Sequence, residues 1–187
     1  IRTSADDATG YIKKTMSGDV MNIKKIRVDK EGAGMGWGAV YAQYLESMDQ
    51  IGEQGNGLSV SRQLYKGDEA LNESAPLKVG DKITVRLTIK ADRDMDFVQI
   101  KDDRAACMEP LQAVSGFRWS NGLGYYQATK DASTQFFIDQ MRKGTYVIEY
   151  QVYVNRTGEY QAGIATVQSA YAPEFGGHTG GYRVMVE

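Results

Sequence analysis

An all-β chain built as an antiparallel sandwich is the architecture this sequence predicts, and three observations predict it. Apolar residues alternate with polar ones along Ile83, Val85, Leu87 and Ile89, and again along Tyr146, Ile148, Tyr150, Val152 and Val154. A strand repeats every two residues, so each pattern buries one face and wets the other. The chain also holds 21 glycines, 12 tyrosines and only 3 prolines, the balance of a many-stranded protein with frequent tight turns. Finally, turn signals divide the stretch after residue 57 into eight or so short strands, which suits a sandwich of about 130 residues.

Taken in order, the pattern predicts strands at 9–16, 20–30 and 37–45. In the second, Met21 and Ile23 share one parity and Ile26 and Val28 the other, so a one-residue bulge at Lys24 and Lys25 would restore a single buried face. Three strands in about fifty residues make a poor core on their own. The glycine-rich run from Gly52 to Gly57 reads as a linker or long turn, which divides the chain into 1–55 and 56–187. Beyond it, strands are expected at 58–65, 83–90 and 95–101. The stretch 104–119 is less periodic and reads as an edge or a long loop, with short strands following at 125–127 and 134–139. The alternation from Gly144 then turns at Asn155-Arg-Thr-Gly158 and is expected to return as its hairpin partner over 160–168. Pro173 blocks pairing in the tail Tyr171-Ala-Pro-Glu-Phe-Gly-Gly-His178, and Tyr182 to Val186 closes the sheet.

Composition narrows the function. A net charge of -2 and a pI near 5.6 argue against a phosphate-reading surface, which needs surplus Lys and Arg. No apolar run approaches the roughly 20 residues of a membrane helix. One cysteine, Cys107, excludes an internal disulfide and a cysteine-built zinc site. The chain opens on Ile1 and reads as a fragment whose targeting signal was encoded upstream. Asn72-Glu-Ser74 and Asn155-Arg-Thr157 match glycosylation sequons, which matter only in a eukaryotic secretory setting.

No catalytic constellation emerges. Gly34-Met-Gly36-Trp-Gly-Ala39 has the loose form of a dinucleotide fingerprint, and residues 40, 41, 44, 45 and 48 fall on one helical face. The parallel βαβ context and the acidic residue about 20 positions on are missing. Asp92-Arg-Asp-Met-Asp96 alternates carboxylates like a calcium loop but has Phe97 where an EF-hand needs glycine and Asp103 where it needs glutamate. Asp102, Asp103 and Glu109 are near in sequence, which says nothing of separation in space. His178 is the sole histidine and no Gly-x-Ser-x-Gly elbow accompanies it. Cys107 with His178 would form a thiol nucleophile and its base only if the fold joined them. The reading is a binding or scaffolding domain: no enzyme, no cofactor and no metal.

From Pro76 onward the order of features resembles the last domain of the alpha-2-macroglobulin family, in its bacterial, Bacteroidetes-type branch. The matching pieces are Pro76 to Val85, Phe97 to Arg104, Ser115-Gly-Phe-Arg-Trp119, Tyr125-Tyr126, Lys143 to Tyr150, Tyr171-Ala-Pro-Glu-Phe175 and Gly181 to Val186. Upstream, Gly36-Trp-Gly-Ala-Val-Tyr41 resembles the closing strands of the CUB-like domain that flanks the family's thioester domain, which would assign 1–55 to that domain. The resemblance implies a macroglobulin-like, immunoglobulin-like β-sandwich in a secreted, periplasmic or envelope-attached endopeptidase inhibitor. Its partners would be other domains of the same long chain and host or microbial proteases. Cys107 lies in Cys-Met-Glu-Pro, unlike the family's thioester motif, so that chemistry would lie elsewhere. The implied role is a non-catalytic latch, with Tyr171, Pro173, Glu174, Phe175 and His178 as its interaction residues. The rival from another class is a carbohydrate-binding or adhesion module, whose tyrosines and tryptophans would stack on sugars from one sheet face.

Overall fold

The computed structural model describes residues 13–18, 23–41, 43, 45–72 and 75–187. Two compact units divide between Gln43 and Tyr44. In the first unit, residues 9–12, 20–22 and 42 of the expected strands lie outside the described residues, as do residue 44 and Glu73 and Ser74 of the first sequon. The described residues among 13–43 form no strand, with bends at 18 and 32–34, which corrects the strand expectation for 13–16, 23–30 and 37–41. Within this unit Arg27 pairs with Asp29, and the Lys30 ammonium donates to the carbonyls of Gly32 and Ala33 at 3.1 Å each. A strand needs a neighbour to take its backbone bonds, and alternation without one yields no ladder. The Gly34 to Ala39 run lies in this unit, and among the unit's described residues no strand precedes it and no helix follows it.

The second unit is all-β. After a 3-10 turn at Met48–Gln50, its described residues form fourteen strands: β1 Gln54–Asn56, β2 Leu58–Lys66, β3 Glu69–Ala70, β4 Lys82–Ala91, β5 Met95–Asp103, β6 Met108–Pro110 and β7 Gly116–Ser120. They continue as β8 Leu123–Thr129, β9 Ser133–Met141, β10 Gly144–Val154, β11 Gly158–Ala162, β12 Ala165–Ser169, β13 Gly176–His178 and β14 Tyr182–Val186. A single hydrogen-bonded path runs β6-β10-β4-β2-β1-β13-β12-β5-β9-β8-β7, with β3 appended to β2 and a separate β11-β14 pair. The two halves of that path face each other as the layers of an antiparallel sandwich. Tyr150 of β10 reaches Asp102 of β5, and its ring lies 5.9 Å from Phe136 of β9.

The core lies where the alternation predicts. Ile83, Val85, Leu87 and Ile89 of β4, and Ile148, Tyr150, Val152 and Val154 of β10, are buried. They meet Val98, Ile100, Phe136 and Ile138 of the opposing layer, in one cluster. Each such side chain contributes about 1.5–3 kcal/mol by leaving water.

Two expectations change and one is resolved. The hairpin after Asn155 does not form: β10 pairs with β4 along one side, and at Val152, Tyr153 and Val154 its other side is taken by Pro110, Glu109 and Met108 of β6. With both edges occupied there, the returning chain pairs elsewhere and splits in two, β11 with β14 and β12 with β5 and β13. The split falls at Gly163, where a Cβ would collide with that of Asp103. The polar run at 52–57 is partly a strand: β1 bridges β2 and β13 where the sheet folds over. Gly57 permits that turn with φ 70°, and a Cβ there would lie 2.7 Å from the Phe175 ring. Of the two readings of 104–119, the edge holds and the long loop does not, because β6 and β7 lie at the two ends of the strand path.

Candidate interaction site

Residues 170–175 form a turn between β12 and β13 that is braced on one side. Pro173 has no backbone donor and interrupts the ladder between β12 and β13. The chain closes around it, with the Phe175 amide donating to the Ala172 carbonyl at 2.9 Å and the Ser169 amide to that of Phe175 at 3.0 Å. Side chains complete the brace: the Gln168 amide donates to the Pro173 carbonyl at 3.1 Å and that of Asn56 to the Glu174 carbonyl at 2.7 Å.

The five residues expected to interact separate into roles. Phe175 packs against the core, with Arg93 over its ring at 4.6 Å, and Tyr182 also turns inward. Tyr171 does the opposite and is 79% exposed. Among the described residues its ring neighbour is Phe97, edge-on at 5.1 Å, and the Phe97 carbonyl accepts from the Ala170 amide at 2.8 Å. Phe97 holds φ 52°, a left-handed value rare for a bulky residue, so strain of about 1–3 kcal/mol is stored beside Tyr171. Pro173, Glu174 and His178 border a groove of about 590 Å³ floored by Gly55, Gly176 and Gly177. His178 uses Nδ1 against its neighbouring Thr179 carbonyl at 3.1 Å, the geometry of an Nδ1–H donor.

The groove is lined by β1, β12 and β13, and through Gln168 of β12 it borders the outer face of the β7-β8-β9-β5-β12 layer. Register places Phe117, Tyr126, Phe137, Gln99 and Gln168 in one row across that face, all exposed. Trp119 lies across Gly124, whose missing Cβ makes room for the indole. Phe117 and Tyr126 meet at 76°, edge to face, so those two rings do not form the flat stacking platform that a sugar-binding module needs.

The other candidates are not brought together. Cys107 is wholly buried before β6, and burial pushes its thiol pKa up, as for a small core residue. His178 on β13 is five places away in the sheet order. Asp103 turns outward to Lys101, and Glu109 accepts from Asn155 at the sheet edge. Asp92 pairs with Arg93, and Asp94 accepts the Lys143 amide at 2.7 Å, so both serve turns. Among the described residues no group of three or more His, Cys, Asp and Glu side chains is placed to hold a metal, and no helix is long and apolar enough to cross a membrane.

One cluster escaped the sequence reading. Arg62 of β2 donates to Asp102 at 2.5 Å, with side chains only 5% and 1% exposed, and to the Gly163 carbonyl at 2.6 Å. The second Asp102 oxygen accepts the Tyr150 hydroxyl at 2.7 Å. Burial lifts the Asp102 pKa although Arg62 pulls against it, and burial with the adjacent carboxylate raises that of Tyr150 well above the phenol value. Arg104 lies nearby, donating to Thr134 at 2.6 Å and to the Asp131 carbonyl at 2.8 Å. The signal was parity: Leu58, Val60, Arg62 and Leu64 share one face of β2, as Val98, Ile100 and Asp102 share one of β5.

The described residues thus form an all-β sandwich with a braced turn and an outer groove beside it. Residues 57–174 match the family described as Bacterial Alpha-2-macroglobulin MG10 domain, more than half of the chain, and the chain belongs to that family. Its fold is similar to that of Salmonella alpha-2-macroglobulin reacted with methylamine, with a TM-score of 0.60 and 19% identity over 72% of this chain and 10% of that one. Trypsin-activated alpha-2-macroglobulin from Escherichia coli matches with a TM-score of 0.62 and 15% identity over 73% of this chain and 11% of that one. The Escherichia coli protein from domain MG7 to its C-terminus matches with a TM-score of 0.61 and 16% identity, over 72% and 24%. Among curated proteins the chain is 27% identical over 166 residues to Circularly permutated Ras protein 2 of Dictyostelium discoideum, covering 85% of this chain and 4% of that protein.

Proposed function

We propose that this chain acts, without catalysing a reaction, as a latch and interaction domain of an alpha-2-macroglobulin-like endopeptidase inhibitor. Other domains of the same long chain dock on the Tyr171 turn and its groove, and proteases engage the whole protein. The observation that carries the reading is Tyr171: a large aromatic, 79% exposed, on a turn whose backbone is held by five hydrogen bonds to Phe97, Asn56, Gln168, Ser169 and within the turn itself. A fixed aromatic at a surface is presented for a partner at little entropic cost. Family membership supports the inhibitor context, which in turn supports a secreted, periplasmic or envelope address.

The test uses the full-length gene product with a broad-specificity protease, followed by denaturing gel and solution scattering. Restricted cleavage, a large change of shape and retained protease are the expected result. With Tyr171→Ala, the uncleaved protein is expected to adopt the altered shape without protease. Ordinary fragmentation with no retained protease removes the inhibitor reading. An unchanged Tyr171→Ala variant removes the latch alone.

A further inference from the structure

The stretch that carries the candidate site is an excursion. The chain leaves the β11-β14 pair at Gly163, runs through β12, the Tyr171 turn and β13, and rejoins the pair at Tyr182. One buried guanidinium touches both ends. Arg62 Nη2 donates to the Gly163 carbonyl at 2.6 Å, while the centre of the same group lies 4.6 Å from the Tyr182 ring centroid. Arg62 is itself fixed by Asp102, which Tyr150 holds from the opposite layer. We propose that Arg62 is a positioning residue that clamps the entry and exit of the 163–182 segment and so sets where the Tyr171 turn and its groove stand. The functional meaning rests on the docking role proposed for that segment, but the clamp stands or falls on its own measurement.

Chemistry explains why arginine fills the position. Three jobs are done at once: a charged bond to Asp102, a second donor to a carbonyl on another segment, and a flat cationic face on an aromatic ring. A planar guanidinium does all three, whereas lysine presents a compact point charge with no plane to stack. Gly163 completes the fit, because the close approach to Asp103 that rules out a Cβ there brings its carbonyl to Arg62. Inside the clamp, Ala165 and Thr179 exchange bonds at 2.9 Å, and Gly181 donates to Ile51 at 3.2 Å. These bonds do not involve Arg62, so the expected effect of its loss is loosening of the segment and not its detachment.

Amide hydrogen exchange on the 187-residue chain distinguishes a clamp from general core stability. In the triple variant Arg62→Met, Asp102→Leu, Tyr150→Phe, no orphan charge is left behind. Exchange across 163–182 is expected to rise by about tenfold or more relative to the centre of β4, through local opening. If 163–182 and β4 accelerate together, or if neither changes, the clamp is refuted. Tyr182→Leu, at a part-buried position, decides the matter should the triple variant not fold. Faster exchange at 163–165 and 179–182 with β4 unchanged supports the clamp, and unchanged exchange there overturns it. Neither readout involves a partner, so failure of the clamp is distinguishable from failure of the latch, which the Tyr171→Ala experiment reads separately.

Discussion

Phe136 and Phe137 are neighbours in one strand, as are Tyr125 and Tyr126 in the next, yet their surroundings are opposite. Phe136 is fully buried and touches both Tyr125 and Tyr150, while Phe137 is 39% exposed. Tyr125 is buried against that core, and Tyr126 stands outside with Phe117 on its ring. The same contrast separates the two kinds of charge, since Arg62 and Asp102 are sealed between the layers whereas Arg86 and Glu149 pair at 2.5 Å on the surface. Residue type does not distinguish these pairs; side-chain parity does. The inner face determines whether the sandwich exists, and the outer face is free to be used.

The largest expected effect tests that contrast directly. Phe136→Ala should cost about 3–5 kcal/mol by leaving a cavity, against under about 1 kcal/mol for Phe137→Ala, in matched denaturant titrations. Equal losses would mean that the outer ring is also covered. Asp102→Asn comes next: it keeps the shape but strips Arg62 of its counter-charge, a loss of about 3–5 kcal/mol for a broken buried pair. Its pH signature has a definite sign. The folded Asp102 pKa lies above its ordinary 3.8, so this group's contribution is fully present below that value and is lost as pH rises through the folded pKa. The wild type should therefore show a falling slope of stability with pH in that interval, which the Asn variant lacks.

Smaller effects sharpen the outer face. Tyr171→Ala is expected to leave the unfolding midpoint of the chain unchanged within the spread of ordinary surface substitutions, about 0.5 kcal/mol, while altering the full-length protein's shape. A large shift in the midpoint would make Tyr171 a structural residue. Arg86→Gln should be the mildest change, invisible at physiological salt and detectable only when screening is reduced. A loss that persists in high salt would show that this surface pair is more enclosed than its geometry indicates.

Much of this contrast was legible beforehand. The alternation along β4 and β10 named their buried faces correctly, and the ordered pieces from Pro76 onward pointed to the family that the match over 57–174 shows. Arg62 and Asp102 went unread, although their charges at apolar parity carry a signal, because a strand with a charged residue on its inward face needs an inward partner. The partner itself was not legible: β2 and β5 are forty residues apart at that contact. The β10 hairpin misled for the same reason. A good turn sequence after a good strand favours a local pairing, and only the presence of β6 along the same edge shows that the position is taken. Tyr171 and Phe175 differ by four residues and looked equivalent, but Gly57 offers Phe175 a glycine surface to pack on while Tyr171 stays exposed, edge-on to Phe97.

What the sequence by itself determined was therefore local. Strand content, the inward face of each long strand and the points where pairing must stop follow from the two-residue period, from the missing proline donor and from glycine's conformational range. Tertiary structure alone decided which strands are neighbours, which of two similar aromatics is covered, and that a single guanidinium meets both ends of the Tyr171 segment. The physical reason is range. Backbone geometry acts over a few residues, whereas pairing and burial depend on surfaces that exist only once distant parts of the chain have met.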